Sequence, residues 1–364
     1  MTSGGQLSLL HLRLHLVPEA ELRLPAYNKG NALRGGFGSA FRKLVCVDLY
    51  WECDACTLRF ACPYTKVFNP FIPPDAPQFS GNQNIPRPFV FRPPLSLQTA
   101  YTAGKPLVFD LVIVGQAIDY LPYFIVAFRE LGVSGFGLNR AHVHLARVES
   151  LDHNGTATLV YDGTSNVVRP AAPMEFDVDG KNVVGRRSSV DGKNVDGNRS
   201  PVAGTASFLP PRLMGEGLRT NYQRPTTGDI LTLDFLTPTT LTVGSTIGHS
   251  GNIVRHPAFH HVIKRLRDRV NALATFYGGG PLALDFKAVG QAAENIVTVE
   301  DQTHWVERER FSRHRAVRHD LSGFVGSLRV RGSLAPFLSL LRIGEYVHVG
   351  KNAVFGNGWF VVKT

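Results

Sequence analysis

No apolar run in the chain approaches the roughly 20 residues that a membrane-crossing helix needs, which argues against an integral membrane protein. Met1 to Gln6 is polar and lacks a basic start followed by a hydrophobic core, so no secretory signal is expected and a cytoplasmic location is. Cysteine is scarce: four residues, all between positions 46 and 62, too clustered for a disulfide-stapled secreted scaffold. Acidic residues are in deficit, 29 against 39 Lys and Arg, leaving a net charge of +10. An excess of this size points to a polyanionic partner, nucleic acid first among them. Charged residues make up only 19% of the chain against 43% hydrophobic, which excludes a disordered polyampholyte. The 364 residues suffice for two ordinary domains with a substantial core.

Hydrophobic periodicity sets out the elements. Leu7 to Val17 alternates as a strand. Asn31 to Val45 places Leu33, Phe37, Phe41 and Leu44 at helical spacing, with Asn31 as the expected N-cap. Leu107 to Gly115 reads as a buried strand, Asp119 to Leu131 as a second helix, and Ala141 to Val148 as a strand. Composition changes between Asp152 and Thr227, where Val178-Asp-Gly-Lys-Asn-Val183 recurs as Val190 to Val195, followed by an extended stretch over Pro210 to Pro225. Order returns with a strand at Asp229 to Leu236 and a helix opened by Pro257, its outer face carrying His260, Lys264, Arg265, Arg267 and Arg269. Strands near Val297 and Leu328, a short helix at Ala335 to Leu341 and strands at Tyr346 to Val349 and Trp359 to Val362 complete the chain. The two halves echo one another, as two β-α-β-β-α-β units would. The expected fold is α+β, with domains at 1–150 and 228–364 joined by a linker or insertion at 151–227.

Three clusters carry chemistry. Gly350, Gly356 and Gly358 surround Lys351 in a terminal loop where backbone N–H groups could approach a phosphate, although the same glycines suit a tight turn into the last strand. From His304 to His319 runs a basic stretch containing Arg308, Arg310, Ser312, Arg313, His314 and Arg315, with Trp305 and Phe311 interleaved. Such a pattern fits base stacking beside phosphate neutralisation, or simply a solvated charged face. Cys46, Cys53, Cys56 and Cys62 have the residue types of a four-thiolate structural zinc site, with free thiols as the alternative.

Leu33-Arg-Gly-Gly-Phe-Gly-Ser-Ala-Phe-Arg42, the cysteine cluster with Cys62-Pro-Tyr64, Phe235-Leu-Thr-Pro238, Ser322-Gly-Phe-Val-Gly326 and the string Gly344-Glu-Tyr-Val-His-Val-Gly-Lys351 with Phe355-Gly-Asn-Gly358 resemble CRISPR precursor-RNA processing endoribonucleases of the RAMP superfamily. The resemblance covers nearly the whole chain outside roughly 165–225. It implies two tandem ferredoxin-like domains, a glycine-rich loop near the RNA, and cleavage of CRISPR repeat RNA by the 2′-hydroxyl without a catalytic cofactor. Repeat RNA, guide RNA and a CRISPR effector complex are the implied partners. Relatives place a catalytic histidine on or beside the first helix, and residues 32–45 contain none. His348, two residues before Gly350, is the leading substitute if it lies in an alternating strand; a half-buried strand histidine is the bland alternative. His314 stands next, while Tyr27, Arg34, Lys43 and Lys351 are candidates to position the sugar and stabilise phosphorane charge. The missing first-helix histidine also suits a non-catalytic RAMP subunit that only holds guide RNA.

Overall fold

Leucines occupy both faces of the first strand, and the fold uses both. A computed structural model describes residues 6–72, 85–177, 229–244, 251–312 and 317–363; both Val-Asp-Gly-Lys-Asn-Val copies and the stretch at 210–225 lie outside the described residues. The first unit comprises β1 (Gln6–Pro18), α1 (Lys29–Val45), β2 (Phe89–Arg92), β3 (Leu107–Val114), α2 (Leu121–Ser134) and β4 (Val143–Leu151). Its antiparallel sheet runs β2-β3-β1-β4. The sheet continues through β5 (Ala157–Asp162) and β6 (Val167–Val168), while β7 (Met174–Asp177) pairs with the start of β1. Residues 151–177, expected within a linker, therefore belong to the first unit.

The second unit follows the same plan. It contains β8 (Asp229–Thr239), α3 (Phe259–Tyr277), α4 (Phe286–Glu294), β9 (Val297–Asp301), β10 (His304–Val306), β11 (Glu309–Ser312) and β12 (Val317–Asp320). β13 (Gly323–Gly332), α5 (Leu338–Val347) and β14 (Phe360–Lys363) complete it. Its sheet runs β9-β13-β8-β14, so both units place their strands in the order second, third, first, fourth. That is the ferredoxin-like arrangement, present twice.

Several boundaries differ from the sequence expectations for local reasons. α1 begins at Lys29 because Asn28 adopts a left-handed conformation at φ 61°, which asparagine tolerates better than most residues. Asp119 lies in a 3₁₀ turn at Gly115–Tyr120, and the second helix starts only at Leu121, where Pro122 suits a first turn. The expected strand at Tyr346 to Val349 is not formed. Leu340, Leu341, Ile343 and Val347 are buried at helical spacing, so α5 absorbs Tyr346 and Val347.

Alternation in β1 divides the core. Leu10, Leu12, Leu14 and Leu16 face α1 and α2, where Phe37 stacks on Phe128 with centroids 4.7 Å apart. Leu7 and Leu9, with Val90, Val112 and Val114, face the other way and join a core shared with α3, α5 and the second sheet. The layers are helices, sheet, helices, sheet.

Candidate functional site

The terminal loop, residues 348–359, clasps the two units together. A 3₁₀ turn at Ala353–Phe355 rests on the beginning of α1 and on β2. A Cβ at Gly30 would overlap the Phe355 carbonyl oxygen, and one at Gly356 would lie 2.6 Å from Pro93 Cδ. Glycine at 30 and 356 thus lets backbone meet backbone across the junction. Arg34 completes the contact, its guanidinium 5.3 Å from the Phe355 ring centroid and 5.5 Å from that of Phe68.

Within the loop, the N–H groups of Val349, Lys351, Gly356 and Gly358 donate to the carbonyls of Gly358, Thr240, Ala353 and Pro238 at 2.9–3.0 Å. The Trp359 N–H donates to Thr237 Oγ1 at 2.9 Å. Donors engaged in this way do not also cradle a phosphate. At Gly356 and Gly358 the structure therefore corrects the expectation of a backbone anion nest: these glycines serve positive-φ turns (91° and 72°) and close packing. Gly350, at φ 83°, sits against the Thr240 carbonyl.

Beside the clasp lies a cleft of about 250 Å³ bordered by Tyr27, Lys29, Pro94, Pro238, Arg308 and Gly356. Tyr27 is 48% exposed, and the Arg308 guanidinium lies 3.8 Å from its ring centroid. Lys29 is buried, and its ammonium donates to the Ala26 carbonyl at 2.8 Å and to the Ser96 carbonyl at 2.5 Å. Burial pushes the Lys29 pKa down. Its visible task is to pin the turn that carries Tyr27. The Tyr27–Arg308 pair joins two residues far apart in sequence, and nothing in periodicity links them. The Lys29-Gly30 step before the apolar run is the sequence signal for the clasp.

His348 is corrected most. It follows the last residue of α5 instead of lying in a strand with Gly350, and it is fully buried. Its Nδ1 lies 3.1 Å from the Asn357 carbonyl, so Nδ1 carries the proton and Nε2 is left as an unpartnered acceptor. The ring lies parallel to Trp359 at 5.8 Å. Burial, with the Arg92 and Arg269 cations adding to it, pushes its pKa well below the ordinary histidine value. This is a neutral interior group, not a base facing the cleft.

The remaining candidates are dispersed. Lys43 pairs with Glu130 at 2.6 Å near the far end of α1, about 21 Å along the helix from Lys29 at 1.5 Å per residue. Lys351 borders a separate pocket with Thr240 and Arg269. Arg310 and Ser312 fall on β11, which pairs with β12 as a hairpin, whereas Arg313, His314 and Arg315 lie outside the described residues. Trp305 is half-buried with the Arg255 guanidinium 4.7 Å from its ring. Among the described residues no group of three or more His, Cys, Asp or Glu side chains is arranged to hold a metal ion. Cys46 Sγ instead donates to the Asp48 carbonyl, and Arg42 holds the loop through the carbonyls of Leu49 and Trp51 at 3.1 and 2.9 Å.

Comparison with known proteins agrees with this architecture. Residues 7–173 match a family model described as an N-terminal domain, and residues 233–360 match the family of the CRISPR-associated endoribonuclease Cas6. An uncharacterised protein of Archaeoglobus fulgidus is 25% identical over 369 residues, covering 100% of both chains. A solved Cas6 product complex shares 16% identity and a TM-score of 0.50 over 98% of this chain and 99% of that one, which shows the common fold. Cas6 of Thermus thermophilus aligns at 13% identity and a TM-score of 0.48 over 98% and 99% of the two chains.

Proposed function

We propose that the chain cuts CRISPR repeat RNA at the Tyr27–Arg308 cleft and releases guide RNA, a reading supported by the match of residues 233–360 to the CRISPR-associated endoribonuclease Cas6 family. The observation carrying this reading is the cleft itself, where the first helix, the terminal loop and the basic stretch converge. The 2′-hydroxyl loses its proton to water and attacks the adjacent phosphorus in line, the P–O5′ bond breaks, the departing O5′ takes a proton from water, and the products end in a 2′,3′-cyclic phosphate and a 5′-hydroxyl. Arg308 is placed to stabilise charge on the phosphorane, and the Tyr27 hydroxyl to orient the sugar–phosphate. The steps use no metal.

Among the described residues no histidine lines the cleft, and what those residues supply is positioning and charge, not the roughly 10²–10⁴-fold that an imidazole acid or base adds. The same observation favours a second reading, a guide-RNA-holding subunit that does not turn over. Single-turnover assays on repeat RNA in the presence of chelator separate the two. One cut with cyclic-phosphate ends, slowed about 10²-fold by Arg308→Gln, is expected. Tight binding by the unaltered protein with no cut would leave only the second reading.

A further inference from the structure

A second pocket that the terminal loop borders, of about 240 Å³, is lined by Thr240, Arg265, Asp268, Arg269, Gly350 and Lys351. Three cations converge on it against one carboxylate. That carboxylate is already engaged: Asp268 accepts from Arg267 Nε and Nη2 at 3.1 and 2.8 Å, and Arg265 Nη1 lies 3.6 Å from its other oxygen. The Arg265 Nε is buried with no hydrogen-bond acceptor. Arg269 lines the pocket and is pinned by its Nε, which donates to the Val347 carbonyl at 2.8 Å. Burial lowers its pKa only to about 10, so it remains a cation at neutral pH.

With Arg265, Arg269 and Lys351 against the single carboxylate of Asp268, the lining keeps an excess of positive charge, which suits an anion. Planar guanidinium groups match phosphate oxygens in geometry as well as charge. The position selects the source. Pro238 borders the cleft and Thr240 borders this pocket, two residues apart on one stretch of chain, and the terminal loop contributes Phe355 and Gly356 to the first and Gly350 and Lys351 to the second. A single extended strand crossing the loop reaches both. We propose that Arg265, Arg269 and Lys351 form a phosphate-binding subsite for a backbone phosphate of the same RNA strand, offset from the scissile linkage. The proposal rests on the RNA-processing reading above.

The test measures binding of the full chain to a repeat RNA carrying a 2′-deoxy substitution at the cut position, across a salt series, so that it does not depend on cleavage. Arg265→Gln and Lys351→Gln are each expected to weaken binding about 5–10-fold and to reduce the slope of log K against log salt by about 0.7, the share of one single-strand phosphate. Arg269→Gln is secondary, since it also removes the bond to Val347. Lys105→Gln, an exposed charge in a distant turn, should leave the slope unchanged. Equal slope losses in all variants would reduce the effect to net charge and overturn the subsite. So would an unchanged slope in Arg265→Gln while inorganic phosphate alone raises the melting temperature of the unaltered protein but not of that variant; the pocket would then take free phosphate. If the subsite variants behave as expected but no cleavage is found with cleavable RNA, the catalytic reading fails and the subsite stands.

Discussion

Burial of an uncharged imidazole has a consequence that solution measurements can read. The unfolded chain protonates His348 near the ordinary value of 6.5, while the folded chain refuses that proton until a much lower pH. Acid therefore favours the unfolded state, and stability falls as pH drops below about 6.5, at up to about 1.4 kcal/mol per pH unit for this one group. His11 works in the same direction, since burial lowers its pKa despite the 3.0 Å hydrogen bond to Asp110. Burial alone would raise the Asp110 pKa, but hydrogen bonds from His11 and Arg13 prevail and hold it well below the carboxylate range, so its contribution is lost only at more acidic pH. His348→Gln keeps a neutral donor for the Asn357 carbonyl and cannot take up a proton. Denaturant titrations at pH 5 and pH 7 should show a shallower pH dependence in this variant than in the unaltered protein. Identical dependence would mean that the imidazole titrates normally and is reachable by water.

Within α1, two glycines five residues apart play opposite parts. Gly30 touches the Phe355 carbonyl, whereas nothing lies within 4 Å of a Cβ built on Gly35. Gly35→Ala should accordingly stabilise the protein by about 0.5–1 kcal/mol, the ordinary gain from removing glycine from a helix interior. Gly30→Ala should push the terminal loop off the helix, lower the melting temperature and slow RNA cleavage together. A Gly30→Ala protein with unchanged melting and cleavage would show that the clasp is loose. The contrast marks what was legible before the structure. Periodicity revealed the helix and its inner residues Leu33, Phe37 and Phe41, because those depend on neighbours three and four positions away. It was silent on Gly30 because the reason for that glycine lies more than three hundred residues further along the chain. His348 failed for a related reason: two positions from Gly350 means a shared face only in a strand, and the apolar spacing of α5 overrode that reading.

The two repeated units are joined through a shared core on the second face of the first sheet, besides the core that the first unit keeps under α1 and α2. β1 supplies leucines to both sides, and Arg92, buried at the end of β2, donates to the Glu345 carbonyl and lies beneath the rings of Tyr346 and Trp359 at 4.9 and 5.2 Å. The tandem plan was readable from the echo of elements in the two halves. Their fusion was less so, because alternation in a strand shows that two faces are apolar but not what covers the second. Mutations on that second face should therefore be felt in the other half. Leu9 is fully buried among residues of both units, and Leu9→Ala removes side-chain packing worth roughly 2–5 kcal/mol. If the halves unfold as one cooperative body, this loss lowers hydrogen-exchange protection in β8 and α3 as much as in β1 and β3. Were the halves independent, protection in β8 and α3 would stay near its unaltered level while the first sheet loosened. That outcome would also undercut the cleft, since Tyr27 and Arg308 come from different units and meet only while the two are held together.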